Sequence, residues 1–97
     1  MPKGYWIATM DIHDLEIYDK YRAANAKPFA DYGARFLVRG GTQQIREGQM
    51  RTRTVVLEFP SYAEAVACYE SPGYQRAKDI RLNVADGSLV IVEGYDN

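Results

Sequence analysis

The sequence predicts an α+β domain of order β-α-β-β-α-β, with a four-stranded antiparallel sheet and both helical segments on one face. Three observations carry this. Residues 4–12, 34–40, 53–59 and 88–95 are rich in β-branched and aromatic residues. Between the first and second of these stretches, and between the third and fourth, apolar residues recur at helical spacing. Gly, Pro and Ser signals punctuate the joins. A chain of 97 residues has room for one domain, spanning 1–97, with one core.

The first strand is GYWIATMDI. A helix follows, capped by Asp11 or Asp14, with Glu16 and Asp19 suited to the positive end of its dipole. Ile17, Tyr21, Ala24 and Pro28, with Tyr18 beside them, form its apolar stripe. Glu16–Lys20 and Lys27–Asp31 are i,i+4 pairs on a solvated side. Pro28 is expected to kink or restart this helix, and Gly33 to end it. ARFLVRG is the second strand, with a bulge or bend at Gly40-Gly41, resumption through Thr42–Arg46 and a turn at Glu47-Gly48-Gln49. RTVVLEF is the third strand, closed by Pro60. Ser61-Tyr62-Ala63-Glu64 is a capping box opening a second helix with Tyr62, Val66 and Tyr69 on one side. Ser71-Pro72-Gly73 breaks it, and Pro72 starts another helical piece running to about Asn83. Asp86-Gly87 reads as a turn and SLVIVEGY as the last strand.

Two helices cover one face of such a sheet, and the other should alternate with polar residues. Instead Tyr5-Trp6-Ile7-Ala8, Val55-Val56-Leu57 and Leu89-Val90-Ile91-Val92 are continuous apolar runs. Runs of this kind mark burial on both faces, so a homodimer through the sheet is expected.

Net charge is −1, which excludes a global field for nucleic acid or an acidic membrane. Arg35, Arg39, Arg46, Arg51 and Arg53 against Glu47 read as a hairpin edge protected from aggregation, not a nucleic-acid face. The lone Cys68 cannot form an internal disulfide and reads as a buried, inert thiol in a reducing, cytoplasmic protein. No signal-peptide segment or membrane span is evident. His13 has no partner at ligand spacing, so no metal site is expected, and no Gly-rich phosphate loop opens a helix.

The segments KGYWIATMDI, YRAANAKPFADYGARFLVRGG, RTVVLEFPSYAEAVACYESPGYQRAKDIR and LVIVEG, from Lys3 to Gly94, resemble the domain-of-unknown-function family numbered 1330. The ARFLVRGG strand and the EFPS…YESPGYQ segment are the most specific pieces. The resemblance implies a dimeric α+β barrel made of two ferredoxin-like subunits packed sheet to sheet. That superfamily includes cofactor-free monooxygenases, lactone isomerases, haem-degrading enzymes, chlorite dismutases and stress-response proteins, so the fold does not choose a function.

Side-chain alternation supplies the candidate site. Arg35, Leu37 and Arg39 share one face of the second strand, and Thr54, Val56 and Glu58 one face of the third. With the fully apolar faces turned to the helices, Arg39 and Glu58 point together into the dimer interior. They are then either an ion pair across neighbouring strands or the charged lining of a pocket, with Arg39 gripping a carboxylate or enolate and Glu58 as general base. Arg81 shares an inward helical stripe with Tyr74, Ala77 and Val84. It either snorkels or forms an ion pair, or it anchors an anion, with Tyr74 and Asn25 as donors to the same space. Two functions follow. One is a cofactor-free enzyme acting on a small anionic or enolisable molecule. The other is a non-catalytic, small-molecule- or protein-binding dimeric module of stress-related type.

Overall fold

The computed structural model describes residues 2–95. The elements run β1 (Gly4–Ile12), α1 (Leu15–Asp31), β2 (Arg35–Arg39), β3 (Arg53–Phe59), α2 (Tyr62–Glu70), α3 (Pro72–Arg81) and β4 (Ala85–Glu93). The strands form one sheet of order β2-β3-β1-β4, and every neighbouring pair is antiparallel. This is the expected ferredoxin-like arrangement, with the second helical segment split in two at Ser71 as the Ser-Pro-Gly signal predicts.

Helix ends follow local chemistry. Asp14, not Asp11, caps α1 by accepting the Ile17 N–H, and Ser61 caps α2 by accepting that of Glu64. Asp11 instead holds the loop before β3, accepting the Thr52 N–H at 2.9 Å. Helix α1 runs unbroken through Pro28, so the expected restart there does not occur. Gly33, at φ +72°, supplies the left-handed residue that lets the chain leave α1.

The helices cover the face that carries Trp6, Ala8 and Met10 of β1 and Leu57 and Phe59 of β3, all buried. Trp6 is the hub. Its ring lies 4.8 Å from Tyr74, 5.2 Å from Phe59, 5.3 Å from Phe29 and 5.7 Å from Tyr69. Its indole N–H donates to Ala65 O at 2.8 Å, so the one polar atom of the ring is satisfied inside the core. The α2 stripe is displaced from the expected one. Ala65 and Cys68 are its buried residues, while Tyr62 is exposed. Small residues there let α2 lie close above Trp6.

The chain bends at Gly40, at φ +70°, one of the two forms expected there, while the bulge lies earlier, within β2 between Phe36 and Val38. Two expectations fail between β2 and β4. Residues 42–46 do not resume the strand, and 40–52 form one exposed loop. Asp86-Gly87 is not a turn, because both residues pair with β1 inside β4 (Asp11 with Asp86, Met10 with Gly87). Ladder pairing to β1 overrides the turn propensity of Asp-Gly.

The uncovered face is formed by the alternate residues. Ile7, Val38, Val90 and Val92 lie on it and are 40–53% exposed. None of the described helices is long and apolar enough to cross a membrane.

Candidate functional site

The bulge in β2 decides where the site forms. Phe36 pairs with Leu57, but the extra residue then sets Val38 opposite Val56 and Arg39 opposite Val55. Val55 belongs to the same strand face as Leu57 and Phe59, which faces the helices. Arg39 is therefore delivered to the helix-covered side, where its guanidinium lies 4.0 Å from the centre of the Phe36 ring. This corrects the expectation that Arg39 and Glu58 share a face. A strict two-residue period cannot foresee a one-residue insertion, which flips everything after it.

Glu58 stays on the uncovered face. It accepts from the Tyr5 hydroxyl at 3.1 Å and pairs with Arg35 at 3.3 Å. It does not pair with Arg39.

On the covered side, between α1 and the sheet, lies a cleft lined by the aromatic rings of Trp6, Tyr18, Tyr21, Phe29 and Phe36 and by the polar side chains of Asn25, Arg22, Arg39 and Arg53. The space open to the centres of water-sized spheres is about 30 Å³, enough for one or two waters with the side chains as they stand, and all free space counted out into solvent is about 430 Å³. The inner face of α1 supplies Tyr18, Tyr21, Asn25 and Phe29 at helical spacing, and Asn25 is only 4% exposed. Among the described residues no carboxylate lines the cleft.

The arginines are held by aromatic faces instead of acids. Arg53 lies 5.8 Å from the centre of the Tyr18 ring, and its Nε is buried without a hydrogen-bond partner. Gly40, at φ +70°, leaves room for the Arg53 guanidinium, since a Cβ there would collide with it. Arg39 and Arg53 stand on neighbouring strands two residues out of register, on one face. Such diagonal neighbours are about 7–8 Å apart at Cα, close enough for their like charges to repel. Behind the cleft, Arg81 is 7% exposed. It lies 5.4 Å from the centre of the Tyr21 ring, donates to the Tyr74 hydroxyl at 3.4 Å, and keeps Nε unpartnered. Among the described residues, only Arg22 of this group has an acid partner, Asp19, on the outer side of α1.

The phenols here are weak acids. Burial pushes Tyr18 up despite the opposing pull of Arg53. Burial, reinforced by Tyr21, pushes Tyr74 far above the usual phenol value. The cleft is thus an aromatic-walled space whose rings meet largely edge to face, with net positive charge and, among the described residues, no carboxylate or imidazole to act as a base. Cationic and aromatic groups together attract a planar anion.

Of the residues expected to form the site, Arg39 and Asn25 line the cleft, and Arg81 and Tyr74 stand directly behind it. Glu58 is on the far side of the sheet. Arg53, Tyr18 and Tyr21 went unrecognised. Alternation does place Arg53 on the Val55–Leu57–Phe59 face, which is the signal that could have found it. Nothing distinguishes the two tyrosines from core filling in the sequence. Outside the cleft, His13 is exposed and lies 2.7 Å from Asp86. Cys68 is buried, and burial pushes its thiol up to about 12.

The model of the family described as a domain of unknown function (DUF1330) matches residues 3–95. No curated protein matches the chain. Among solved structures, a protein of unknown function from Rhodopseudomonas palustris superposes with TM-score 0.77 at 17% identity, covering 99% of this chain and 85% of that one. A dimeric ferredoxin-like protein of unknown function from Thermobifida fusca gives 0.63 at 17% identity, covering 95% and 91%. SnoaB, a cofactor-independent oxygenase from Streptomyces nogalater, gives 0.64 at 11% identity, covering 100% and 97%. At these identities the likeness is one of fold.

Proposed function

We propose, on the premise that the chain belongs to the domain-of-unknown-function family DUF1330, that the cleft between α1 and the sheet binds a small, flat, enolisable or phenolic molecule as its anion and serves cofactor-free chemistry on it. The observation that carries this reading is the set of acid-free arginines, Arg39, Arg53 and Arg81, stacked on aromatic rings around or behind one slot. Two like charges side by side favour an anion between them. The same field lowers the pKa of a bound enol or phenol, so the ligand loses its proton to water without a protein base. Glu58 takes no part in the cleft on this reading.

An electron-rich carbanion is itself a reductant of O2. Its electron pair forms the new C–O bond, the distal oxygen becomes a peroxide anion, and that anion takes a proton from water. The oxygenase activity named for SnoaB is cofactor-independent, which supports the same reaction class here.

The test is calorimetric titration with p-nitrophenolate and, as a neutral analogue lacking the phenolate oxygen, nitrobenzene. The anion should bind one per chain and more tightly than nitrobenzene, and Arg39→Ala should weaken the anion alone by about ten-fold, the worth of one charge-assisted contact. Equal affinity for both ligands contradicts the reading. Oxygen uptake with 2-tetralone, an enolisable ketone, then separates the two functions. Uptake lost with Arg39→Ala identifies an enzyme, and binding without uptake identifies a binding module.

The uncovered face is proposed to pair with a second copy. Its exposed Ile7, Val38, Val90 and Val92 form the apolar strip, and Glu58 and Arg35 set opposite charges at one end. The dimeric neighbour of like fold supports it. Sedimentation at micromolar concentration should give twice the 11.0 kDa chain mass.

A further inference from the structure

Arg81, Tyr74 and Tyr21 form a chain of polar groups running from the buried interior to the cleft wall. Arg81 Nη2 lies 3.4 Å from the Tyr74 hydroxyl, and the Tyr74 and Tyr21 hydroxyls are 2.9 Å apart. A guanidinium only donates, so Tyr74 accepts at the Arg81 end. The proton between the two phenols has two possible owners, and burial decides between them. Tyr74 is fully buried at 0% exposure, among the rings of Trp6, Phe29 and Tyr69. Tyr21 is its one hydroxyl partner besides Arg81 among the described residues. If Tyr21 donated, the Tyr74 proton would be left in apolar surroundings without an acceptor, at the cost of an unmade buried hydrogen bond. If Tyr74 donates, the proton with no protein acceptor is the one on Tyr21, and Tyr21 lines the cleft.

From this direction of donation we propose that the Tyr21 hydroxyl is the cleft's oxyanion donor, oriented and polarised by Tyr74 and Arg81, and that it selects ligands presenting an enolate or phenolate oxygen at the inner end of the slot. The inference rests on the anion-binding reading of the cleft. Each bond in the chain strengthens the next, because Arg81 draws charge from Tyr74 and Tyr74 from Tyr21. Arg81 keeps its Nε buried and unpartnered, so its charge is not spent on a protein carboxylate. Tyr74 and Arg81 are positioning residues, and Tyr21 is the group that touches the ligand. Burial raises the Tyr74 phenol far out of its usual range, so it relays polarisation as a neutral group. Besides Tyr74 and Arg81, the ionisable groups around the slot are Tyr18, Arg22, Arg39 and Arg53.

The test compares wild type, Tyr21→Phe and Tyr74→Phe, each checked for a native thermal transition, with p-nitrophenolate and nitrobenzene as probes. Tyr21→Phe should weaken p-nitrophenolate by about ten-fold or more, as for a hydrogen bond to a charged oxygen, and leave nitrobenzene within about two-fold, as packing is unchanged. The downward pKa shift of bound p-nitrophenol, read from its absorbance, should shrink in step. Tyr74→Phe should show a smaller loss with the same preference for the anion. Unchanged p-nitrophenolate binding in either variant, or equal losses for both probes, overturns the proposal while leaving the cleft as the binding site. Absence of p-nitrophenolate binding to wild type overturns the anion-binding reading and this inference with it.

Discussion

Alternate residues of the same strands build two faces of unlike chemistry. On the covered face, Trp6, Met10, Leu57 and Phe59 are sealed under three helices, and the arginines that reach this side lean on rings. On the uncovered face, Ile7, Val90 and Val92 stand half exposed beside Thr9, Glu58 and the Arg35 that pairs with it. Both faces mix apolar surface with charge, but the charges are balanced on one and unbalanced on the other. Balanced charge at the rim of an apolar strip suits a partner protein, whereas unbalanced positive charge in an aromatic slot suits a small anion.

The largest expected effect lies in the hub of the covered face. Trp6→Ala removes the ring around which Tyr74, Phe59, Phe29 and Tyr69 pack and should cost about 3–5 kcal/mol in urea unfolding. Gly40→Ala should cost about 1 kcal/mol, because a side chain at φ +70° is strained. It should also reduce p-nitrophenolate affinity by displacing Arg53, so stability and binding should fall together. Val90→Asp acts on the other face. It should leave the unfolding free energy of the monomer within about 0.5 kcal/mol, as an exposed substitution does, while sedimentation shows the dimer dissociating. Glu58→Gln should change p-nitrophenolate affinity by less than about two-fold, since the residue is across the sheet; a loss comparable to that of Arg39→Ala would place the site on the wrong face.

The sequence made the order of elements along the chain, most helix caps and the apolar excess of the sheet readable, because each depends on local composition or on a two- or 3.6-residue period. Arg39 was identifiable as an unusual charge in an apolar strand. Its direction was not, since the insertion that turns it lies in the pairing of β2 with β3, a contact between segments. For the same reason side-chain alternation alone puts Arg39 and Glu58 on one face. Arg81 is legible as a polar residue on an inward helical stripe, and Asn25 only as a donor to the same space. The Tyr21–Tyr74 bond joins residues 53 positions apart and leaves no trace in local pattern.

A smaller effect concerns pH. The Cys68 thiol rises from 9.0 to about 12 in the folded chain, chiefly through burial. The unfolded thiol ionises first, so the stability present below pH 9 is lost progressively as the pH rises from about 9 to about 12. Cys68→Ala should flatten this part of the stability profile, measured by urea unfolding across the range. Tyr74, raised in the same direction, leaves a residual slope.

Trp6 is the only tryptophan of the chain and lines the cleft, so its fluorescence reports occupancy directly. Titrating p-nitrophenolate into wild type and into an Arg39→Ala, Arg53→Met double variant tests the central claim. The wild type should show saturable quenching at one site per chain, and the double variant a midpoint at least about ten-fold higher, with nitrobenzene indifferent to the change. Quenching that is unsaturable in wild type, or identical in the two proteins, would contradict the assignment of the cleft as an arginine-held anion site.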